Sequence, residues 1–275
     1  MKKIHLAMAC LVGLAMMTSC GGKKDADKDA DKEKTEATEN QDAENDEDTD
    51  EANQKGTLDT VFEVDDDPAN AIWVIADSLY PDFKAAPTDI FFDNCEAETV
   101  GEFPSKWDIN EGSAEVMEMG GRNIINMKAG NTELRPMVNG STEGYLPNSY
   151  TFEFEYYCNA EGAADAFYTI QFWGNEEEGM LGEINLFTRS SVEWWLKKGN
   201  DDQISGDFSD LRSIEHEGCW NHFAISFDKG NLKVFVNGKR VGNMPNIKGA
   251  DHIALRGNSA DDGYRYYFTN VRLKK

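Results

Sequence analysis

The chain has 275 residues, with 51 Asp and Glu against 27 Lys and Arg, and its formal net charge at pH 7 is −24. So acidic a chain argues against binding nucleic acid and against docking on anionic lipid, because both are polyanions. It also has no Gly-x-Ser-x-Gly motif and no phosphate-cradling Gly-rich motif, so two common enzyme classes find no support.

The first twenty residues have the layout of a secretory signal. Lys2 and Lys3 form a cationic head, a mostly apolar run extends over 6–17, and small residues lead into Cys20. The run is too short to span a bilayer as a permanent helix. The approach to Cys20 resembles the bacterial lipobox, which implies removal of residues 1–19 and acylation of Cys20. The alternative is an ordinary signal with a chance cysteine.

Lipidation of Cys20 implies a partner, the membrane. Bacterial lipoproteins carry three acyl chains, and each buried methylene contributes about 0.8 kcal/mol, so the resemblance implies a stable anchor. The stretch GGKKDAD after Cys20 is similar to short charged signals that send some Gram-negative lipoproteins to the outer face of the cell. We therefore expect a lipid-anchored, surface-exposed protein of a Gram-negative outer membrane.

The composition of residues 20–67 predicts a disordered, extended tether. From Asp25 to Asp67 there are 19 acids against 4 lysines, a net charge of −15 (4 − 19), and large apolar residues are almost absent before Leu58. Such a segment cannot bury enough surface to offset the entropy lost on ordering. The acids lack the spacing of a calcium loop, so no metal site is expected there. Residues 68–89 form a lead-in, either a short helix or a strand packed on the domain.

The sequence of residues 90–275 predicts an all-β domain, because short runs of alternating apolar and polar residues are separated by Gly, Asn, Asp and Pro. In SYTFEFEYY, one face carries four aromatic residues, Tyr150, Phe152, Phe154 and Tyr156. Asn237-Gly238 is a strong hairpin signal, and residues 221–243 predict a three-stranded antiparallel meander. The number and spacing of the strands favour a sandwich over a barrel.

Two stretches carry a resemblance to a known family. CWNHFAISFDKGNLKVFVNGKRVGNMPNI, residues 219–247, is similar to the signature of laminin-G-like, concanavalin A-like lectin sandwiches. Residues 91–127, which include GEFPSKWD, resemble a bacterial lectin-like module that often precedes an OmpA-type domain. The chain stops at Lys275 without such a domain, so we do not expect cell-wall anchoring.

The resemblance covers residues 90–275 and implies a two-sheet antiparallel jelly-roll sandwich. It also implies that Trp107 and Trp220 are buried. In such sandwiches the terminal strands commonly pair, which protects an edge, so we expect residues 89–94 and 266–273 to pair antiparallel.

Glycoside hydrolases share this fold, so Glu153 and Glu155 are the residues to test for catalysis. Retaining hydrolases need two carboxyls about 5 to 5.5 Å apart. Hydrolases of this fold usually place three acids at alternate positions of one strand, and here the third position is Tyr157. The alternative interpretation is that both glutamates are solvated side chains on the solvent-facing side of an antiparallel strand and have no function. We therefore expect no catalytic residue and keep a glycoside hydrolase as the alternative.

Aromatic residues suggest where a ligand binds. Trp194 and Trp195 are adjacent in a predicted strand, so they should point to opposite faces. Trp195, with Glu193 or Arg189, and Trp173 are candidate ligand-binding residues, because sugars pack their apolar faces on exposed rings beside polar groups. The alternative for any one tryptophan is a place in the core. We expect a non-catalytic recognition module that binds glycan or protein.

We expect no cofactor and no metal site. His216 and His222 lack the paired spacing of zinc ligands, and we interpret His222 as structural. Cys95, Cys158 and Cys219 are an odd set in an oxidising compartment, so at most one disulfide forms among them. Buried free thiols are the alternative.

Overall fold

The computed structural model describes residues 83–128, 130–158, 167–258 and 265–275. The predicted signal, Cys20, the acidic tether and residues 68–82 lie outside these described residues. Within the described ranges, no helix has the length and apolarity needed to cross a bilayer.

The described residues form fifteen β-strands and one turn of 3-10 helix, Leu211–Ser213. The strands are β1 Asp89–Asp93, β2 Trp107–Glu111, β3 Ala114–Met119, β4 Arg122–Met127, β5 Thr132–Pro136, β6 Ser149–Cys158, β7 Phe167–Trp173, β8 Met180–Phe187, β9 Ser191–Lys197, β10 Gln203–Phe208, β11 Cys219–Asp228, β12 Asn231–Val236, β13 Lys239–Met244, β14 His252–Asn258 and β15 Tyr266–Lys274.

The strands make two antiparallel sheets. The eight-stranded sheet has the order β13-β12-β11-β6-β15-β4-β3, with β1 added on β15, and the seven-stranded sheet has the order β10-β9-β8-β7-β14-β5-β2. Seven of the thirteen strand pairs among the described residues join strands that are not consecutive in sequence, so both sheets contain crossovers. The predicted all-β, two-sheet antiparallel sandwich is confirmed.

The core between the sheets is rich in aromatic rings. The four aromatic residues predicted to share one face of β6 are 3% exposed or less. Phe154 is fully buried, and its ring centroid lies 5.3 Å from that of Phe223 and 6.4 Å from that of Phe268. Trp107 in this core and Trp220 in a separate cluster with Met119, Ile124 and Tyr157 are each 2% exposed, so their predicted burial is confirmed. The Trp107 Nε1–H donates to Asp93 Oδ2 at 2.7 Å, which satisfies its one polar group.

The predicted meander is also confirmed, as β11, β12 and β13 pair in sequence. Both of its turns have two central residues with positive φ, 46° and 91° at Lys229-Gly230 and 47° and 79° at Asn237-Gly238. This backbone matches the right-handed twist of paired strands, which is why Asn-Gly is such a strong hairpin signal.

The ends of the domain close on each other as predicted. β1 pairs antiparallel with β15, with Phe91 opposite Leu273. The Thr88 N–H donates to the Lys275 carbonyl at 2.9 Å, and the Lys275 N–H returns a bond to the Thr88 carbonyl at 2.7 Å. The closure extends the eight-stranded sheet and covers one edge of β15.

The described end of the lead-in lies across the outer face of the eight-stranded sheet. Residues 83–88 are neither helix nor strand. The buried Phe83 ring lies 5.7 Å from the His222 ring and 5.2 Å from the Phe235 ring. The Ala86 N–H donates to Thr151 Oγ1 at 3.0 Å. This face is therefore partly covered by the chain itself.

Candidate functional site

The outer face of the seven-stranded sheet is the face that points away from the core. On β9, Trp194 packs against the core, as do its alternate neighbours Val192 and Leu196. Trp195 is half-buried and points outward with the exposed Glu193. The two tryptophans therefore lie on opposite faces, as the period-2 alternation of a strand requires.

The register of the strands arranges outward residues into rows that cross the sheet. What we call the Trp195 row is Ser205, Trp195, Glu183, Gln171 and Ala254, one from each of β10, β9, β8, β7 and β14. The Glu193 row beside it is Asp207, Glu193, Asn185, Thr169, Arg256 and Glu133, from the same strands and β5. Neighbours within a row are about 4.8 Å apart, and the rows are about 7 Å apart.

Trp195 has polar neighbours on both sides. Glu183 and Ser205 lie directly opposite it on β8 and β10. The Asn185 Nδ2–H donates to Glu183 Oε1 at 3.3 Å, and the Ser191 hydroxyl donates to Glu193 Oε1 at 3.2 Å. The Oε1 bonds therefore orient the carboxylates of Glu183 and Glu193, and the Oε2 of each can accept a bond from a ligand. A half-buried ring between acceptors of this kind suits an apolar sugar face with hydroxyls around it.

Trp173 ends β7 on the same outer face, but its ring already has contacts. The His252 ring is parallel to it within 5°, with ring centroids 6.2 Å apart. The Arg135 guanidinium lies over the Trp173 ring at 5.5 Å, a cation–π contact. The Trp173 Nε1–H donates to Gln171 Oε1 at 3.4 Å. Trp173 therefore belongs to a polar cluster and is not a bare platform.

Arg189 lies apart from Trp195. It has a left-handed φ of 61° in the turn that follows β8. Its guanidinium pairs with Glu217, and its backbone N–H donates to Glu215. The structure thus brings Trp195 and Glu193 together on one strand and directs Arg189 toward the segment before β11.

The sequence did not single out a buried polar cluster at the other end of the same face. Glu133 is only 3% exposed, and its Oε1 accepts bonds from Asn110 Nδ2 at 3.1 Å and from Arg135 Nε and Nη2 at 3.1 and 2.9 Å. Arg256 lies beside it on β14. The available signal was TELRP in β5, where Glu133 and Arg135 alternate with the core residue Leu134 and so share the outer face.

Residues 136–269 match the sequence model of a family described as the concanavalin A-like lectin/glucanases superfamily. The matched segment runs from the end of β5 into β15, so the sandwich resembles the domains of this superfamily over most of its length. No curated protein matches the chain.

Solved structures with a similar fold include toxin binding domains. The binding domain of botulinum neurotoxin serotype D is 13% identical over 72% of this chain and 49% of its own, with a TM-score of 0.46. The binding domain of Paraclostridial mosquitocidal protein 1 is 12% identical over 68% and 48%, with a TM-score of 0.48. The serotype D ligand-binding domain in complex with N-acetylneuraminic acid is 13% identical over 64% and 42%, with a TM-score of 0.42. This chain spans about half the length of these structures or less.

The two glutamates considered for catalysis lie on the outer face of the eight-stranded sheet. They are half-buried, so the interpretation of two solvated side chains is wrong. Glu153 Oε2 lies 2.9 Å from His222 Nε2. Glu155 accepts a bond from Asn270 Nδ2 at 2.5 Å, and burial raises the pKa of Glu155. The Phe83 lead-in covers His222, and a bulge in β15 directs Asn270 at Glu155.

Another acid, Glu215, is buried in the segment before β11. It is 6% exposed and accepts bonds from the Tyr156 hydroxyl and the Arg189 backbone N–H. Burial raises the pKa of Glu215 to about 7, against the opposing effect of these two bonds.

The three cysteines among the described residues, Cys95, Cys158 and Cys219, are all buried. Cys95 and Cys158 are free thiols, and Cys219 lies directly opposite Cys158 in the pairing of β6 with β11. Among the described residues, no group of three or more His, Cys, Asp or Glu side chains is placed to hold a metal ion.

Proposed function

We propose that the protein is a lipid-anchored lectin-like module on the surface of a Gram-negative outer membrane, and that it binds a glycan without changing it chemically. The lipobox-like residues before Cys20 support lipid anchoring, and the GGKKDAD stretch after it supports a location on the outer face of the cell. The concanavalin A-like fold supports recognition of a ligand, either glycan or protein. The outer face of the seven-stranded sheet favours a glycan.

The half-buried Trp195 ring between Glu183 and Glu193 is the observation that carries this proposal. A pyranose has an apolar face that packs on such a ring and hydroxyls that donate to carboxylates. Asn185 Oδ1 accepts a bond from the Thr169 hydroxyl at 2.7 Å while its amide orients Glu183. Acceptors held by neighbours before the ligand arrives reduce the entropy lost on binding.

The distribution of acids supports binding without catalysis. None of the described strands of the seven-stranded sheet carries three acids on its outer face, the pattern usual in hydrolases of this fold. On β8 the outward positions are Glu183, Asn185 and Phe187, so an amide and a ring stand where further acids would be needed.

A glycan array tests the proposal directly. The chain from residue 20 with Cys20→Ala, which lacks the lipid, should bind at least one glycan. Trp195→Ala should weaken that binding at least tenfold, whereas Phe103→Ala, which removes an exposed ring in the β1–β2 loop, should leave it unchanged. Absence of binding across the array, or equal loss with both variants, would contradict a site at Trp195.

A glycoside hydrolase is the second candidate, because burial raises the pKa of Glu155, a property of a general acid. Its partner would be Glu153 on the same strand face. Reducing ends released from a polysaccharide panel, and lost in Glu155→Gln, would establish this candidate and overturn the non-catalytic proposal.

A further inference from the structure

Two buried nitrogen atoms on the outer face of the seven-stranded sheet have no hydrogen-bond partner among the described residues. They are Nε2 of His252 and Nε of Arg256. Both side chains project from β14 on the same side as Ala254, which separates them. A buried polar group without a partner costs about 1 to 3 kcal/mol, and two in one place suggest that a partner arrives from outside the chain.

Arg256 has donors left over after its neighbours are considered. Its Nη2 donates to Asn131 Oδ1 at 3.0 Å and lies 3.5 Å from Glu111. Its Nη1 is 3.9 Å from Glu133 Oε2, too far for a hydrogen bond. Glu133 is already committed through its other oxygen to Arg135. The Arg256 side chain is 23% exposed, so solvent reaches the guanidinium.

His252 offers a complementary group. The Nδ1 of His252 lies 3.1 Å from Asp251 Oδ2, and a carboxylate only accepts, so Nδ1 carries the hydrogen and donates. In the neutral ring, Nε2 is then an acceptor with nothing to accept from. The His252 side chain is 5% exposed, so this acceptor lies below the protein surface.

We propose that this cluster, formed by Arg256 and His252, binds the carboxylate of an acidic sugar and one of that sugar's hydroxyls. A guanidinium presents a planar fork that fits a carboxylate through two parallel bonds, and Arg256 lacks such a partner. The sugar hydroxyl donates to His252 Nε2. Glu111, whose carboxylate lies nearer to Arg256 than that of Glu133, is 57% exposed and screened by water.

The cluster belongs to the same surface as Trp195, so this inference rests on the proposed function and names its ligand class. Ala254 and Trp195 lie in the same row, three strands apart, which corresponds to about 14 Å. A glycan that crosses the strands reaches both places. The Trp195 end, beside Glu183 and Glu193, takes a neutral part of the chain, and the Arg256 end takes the acidic group.

The test compares acidic polysaccharides with their own carboxyl-reduced forms. Pectate, alginate, glucuronan and hyaluronan are each measured by calorimetry at 150 mM salt before and after reduction, together with neutral glucans, mannans and galactans. The protein is the chain from residue 20 with Cys20→Ala. We expect at least one acidic polymer to bind tenfold or more tighter than its reduced form.

Arg256→Lys keeps the positive charge but removes the planar pair of N–H donors of the guanidinium, so it should abolish the preference for the acidic form. Arg240→Lys, at an exposed position of β13, should leave the preference unchanged. Trp195→Ala should weaken both forms by the same factor and preserve their ratio. If Arg256→Lys unfolds, the ratio measured on the unsubstituted chain still tests the inference, because a ratio near one would overturn it.

Three outcomes would overturn the inference, and they separate it from the proposed function. Trp195-dependent binding of neutral glycans without any preference for a carboxylate would leave the proposed function standing and this inference wrong. A preference for the acidic form that survives in Arg256→Lys would place the carboxylate elsewhere. Failure to bind any acidic or neutral polymer would contradict both.

Discussion

Trp194 and Trp195 show how one position along a strand changes the role of the same residue type. Trp194 packs against the core and over β10, where a Cβ added at Gly206 would lie 2.7 Å from its ring. Glycine at position 206 therefore makes room for this ring. Trp195 points outward between Glu183 and Ser205. The first ring stabilises the fold, and the second is available to a ligand.

Alanine substitution should separate these two roles. Trp194→Ala leaves a cavity and should lower the free energy of unfolding by on the order of 3 kcal/mol. Trp195→Ala should change it by no more than about 1 kcal/mol, because the ring is half-buried on the outer face. Urea denaturation of both variants measures the difference. Equal destabilisation would show that Trp195 is a core residue and not a binding residue.

Glu215 should make the stability of the domain depend on pH. Burial raises its pKa from the ordinary 4.5 to about 7, so the folded chain holds this proton more tightly than the unfolded chain. The contribution of Glu215 to stability is then fully present below pH 4.5 and is lost as pH rises toward 7, by on the order of 3 kcal/mol.

Glu215→Gln should remove this loss, because the amide stays uncharged: its oxygen can accept from the Arg189 N–H, and its NH2 can donate to the Tyr156 hydroxyl. Urea denaturation at pH 5 and pH 8 should therefore show a smaller difference for the variant than for the unsubstituted chain. Glu217→Gln, which changes a carboxyl that is 32% exposed, is the control and should keep the difference. An unchanged difference in Glu215→Gln would contradict the assignment.

At the scale of elements, the two turns of the meander share a backbone but differ in what their side chains do. Asn237 is fully buried, and its Nδ2 donates to the Ile214 carbonyl and to Asn221 Oδ1, both at 2.8 Å. Its Oδ1 accepts the His222 N–H at 2.9 Å. The Lys229 side chain is exposed at the equivalent position. The Asn237 side chain therefore ties β12 and β13 to the segment before β11. The other turn is tied to the rest of the domain only through its backbone, by bonds from the Lys229 N–H to the Asn148 carbonyl and from the Ile247 N–H to the Gly230 carbonyl.

Glycine substitution should distinguish these turns. Asn237→Gly suits the positive φ but leaves buried donors and acceptors without partners, so it should cost about 2 to 4 kcal/mol. Lys229→Gly relieves a left-handed side chain at a cost in unfolded-state entropy, so it should change stability by less than about 1 kcal/mol. Thermal and urea unfolding measure both. A mild effect at Asn237 would show that water replaces its bonds.

At the scale of the whole molecule, we predict that one residue decides where the domain is held. Cys20→Ala should release the protein from membranes, because no acyl chain is then attached. Radiolabelled palmitate should mark the unsubstituted chain and not the variant, and Cys95→Ala should keep the label. Labelling that survives Cys20→Ala would contradict lipidation at this position.

Alternation along single strands was enough to predict much of this fold. The aromatic face of β6, the opposite directions of Trp194 and Trp195, and the Asn237-Gly238 hairpin all follow from the period-2 geometry of a strand or from local turn chemistry. The pairing of β1 with β15 came from the family resemblance and is confirmed. These features depend on neighbours in the chain or on a pattern that the sequence displays.

The polar cluster on the outer face could not be predicted in the same way. Glu133 and Arg256 are 123 residues apart (256 − 133), and only the register of β5 with β14 places them side by side. The burial of Glu153 and Glu155 likewise depends on Phe83 and Asn270, which come from distant segments. Side-chain alternation gives the face on which a residue lies but not what covers that face.

The sequence by itself determined the fold class, the opposite directions of Trp194 and Trp195, and the resemblance to lectin sandwiches, because strand periodicity and turn chemistry are local. Only the tertiary structure decided that Arg189 pairs with Glu217 and that Trp173 contacts Arg135 and His252. The physical reason is that strand order and register join residues from distant parts of the chain. Burial then sets which of their polar groups are satisfied and which are left for a ligand.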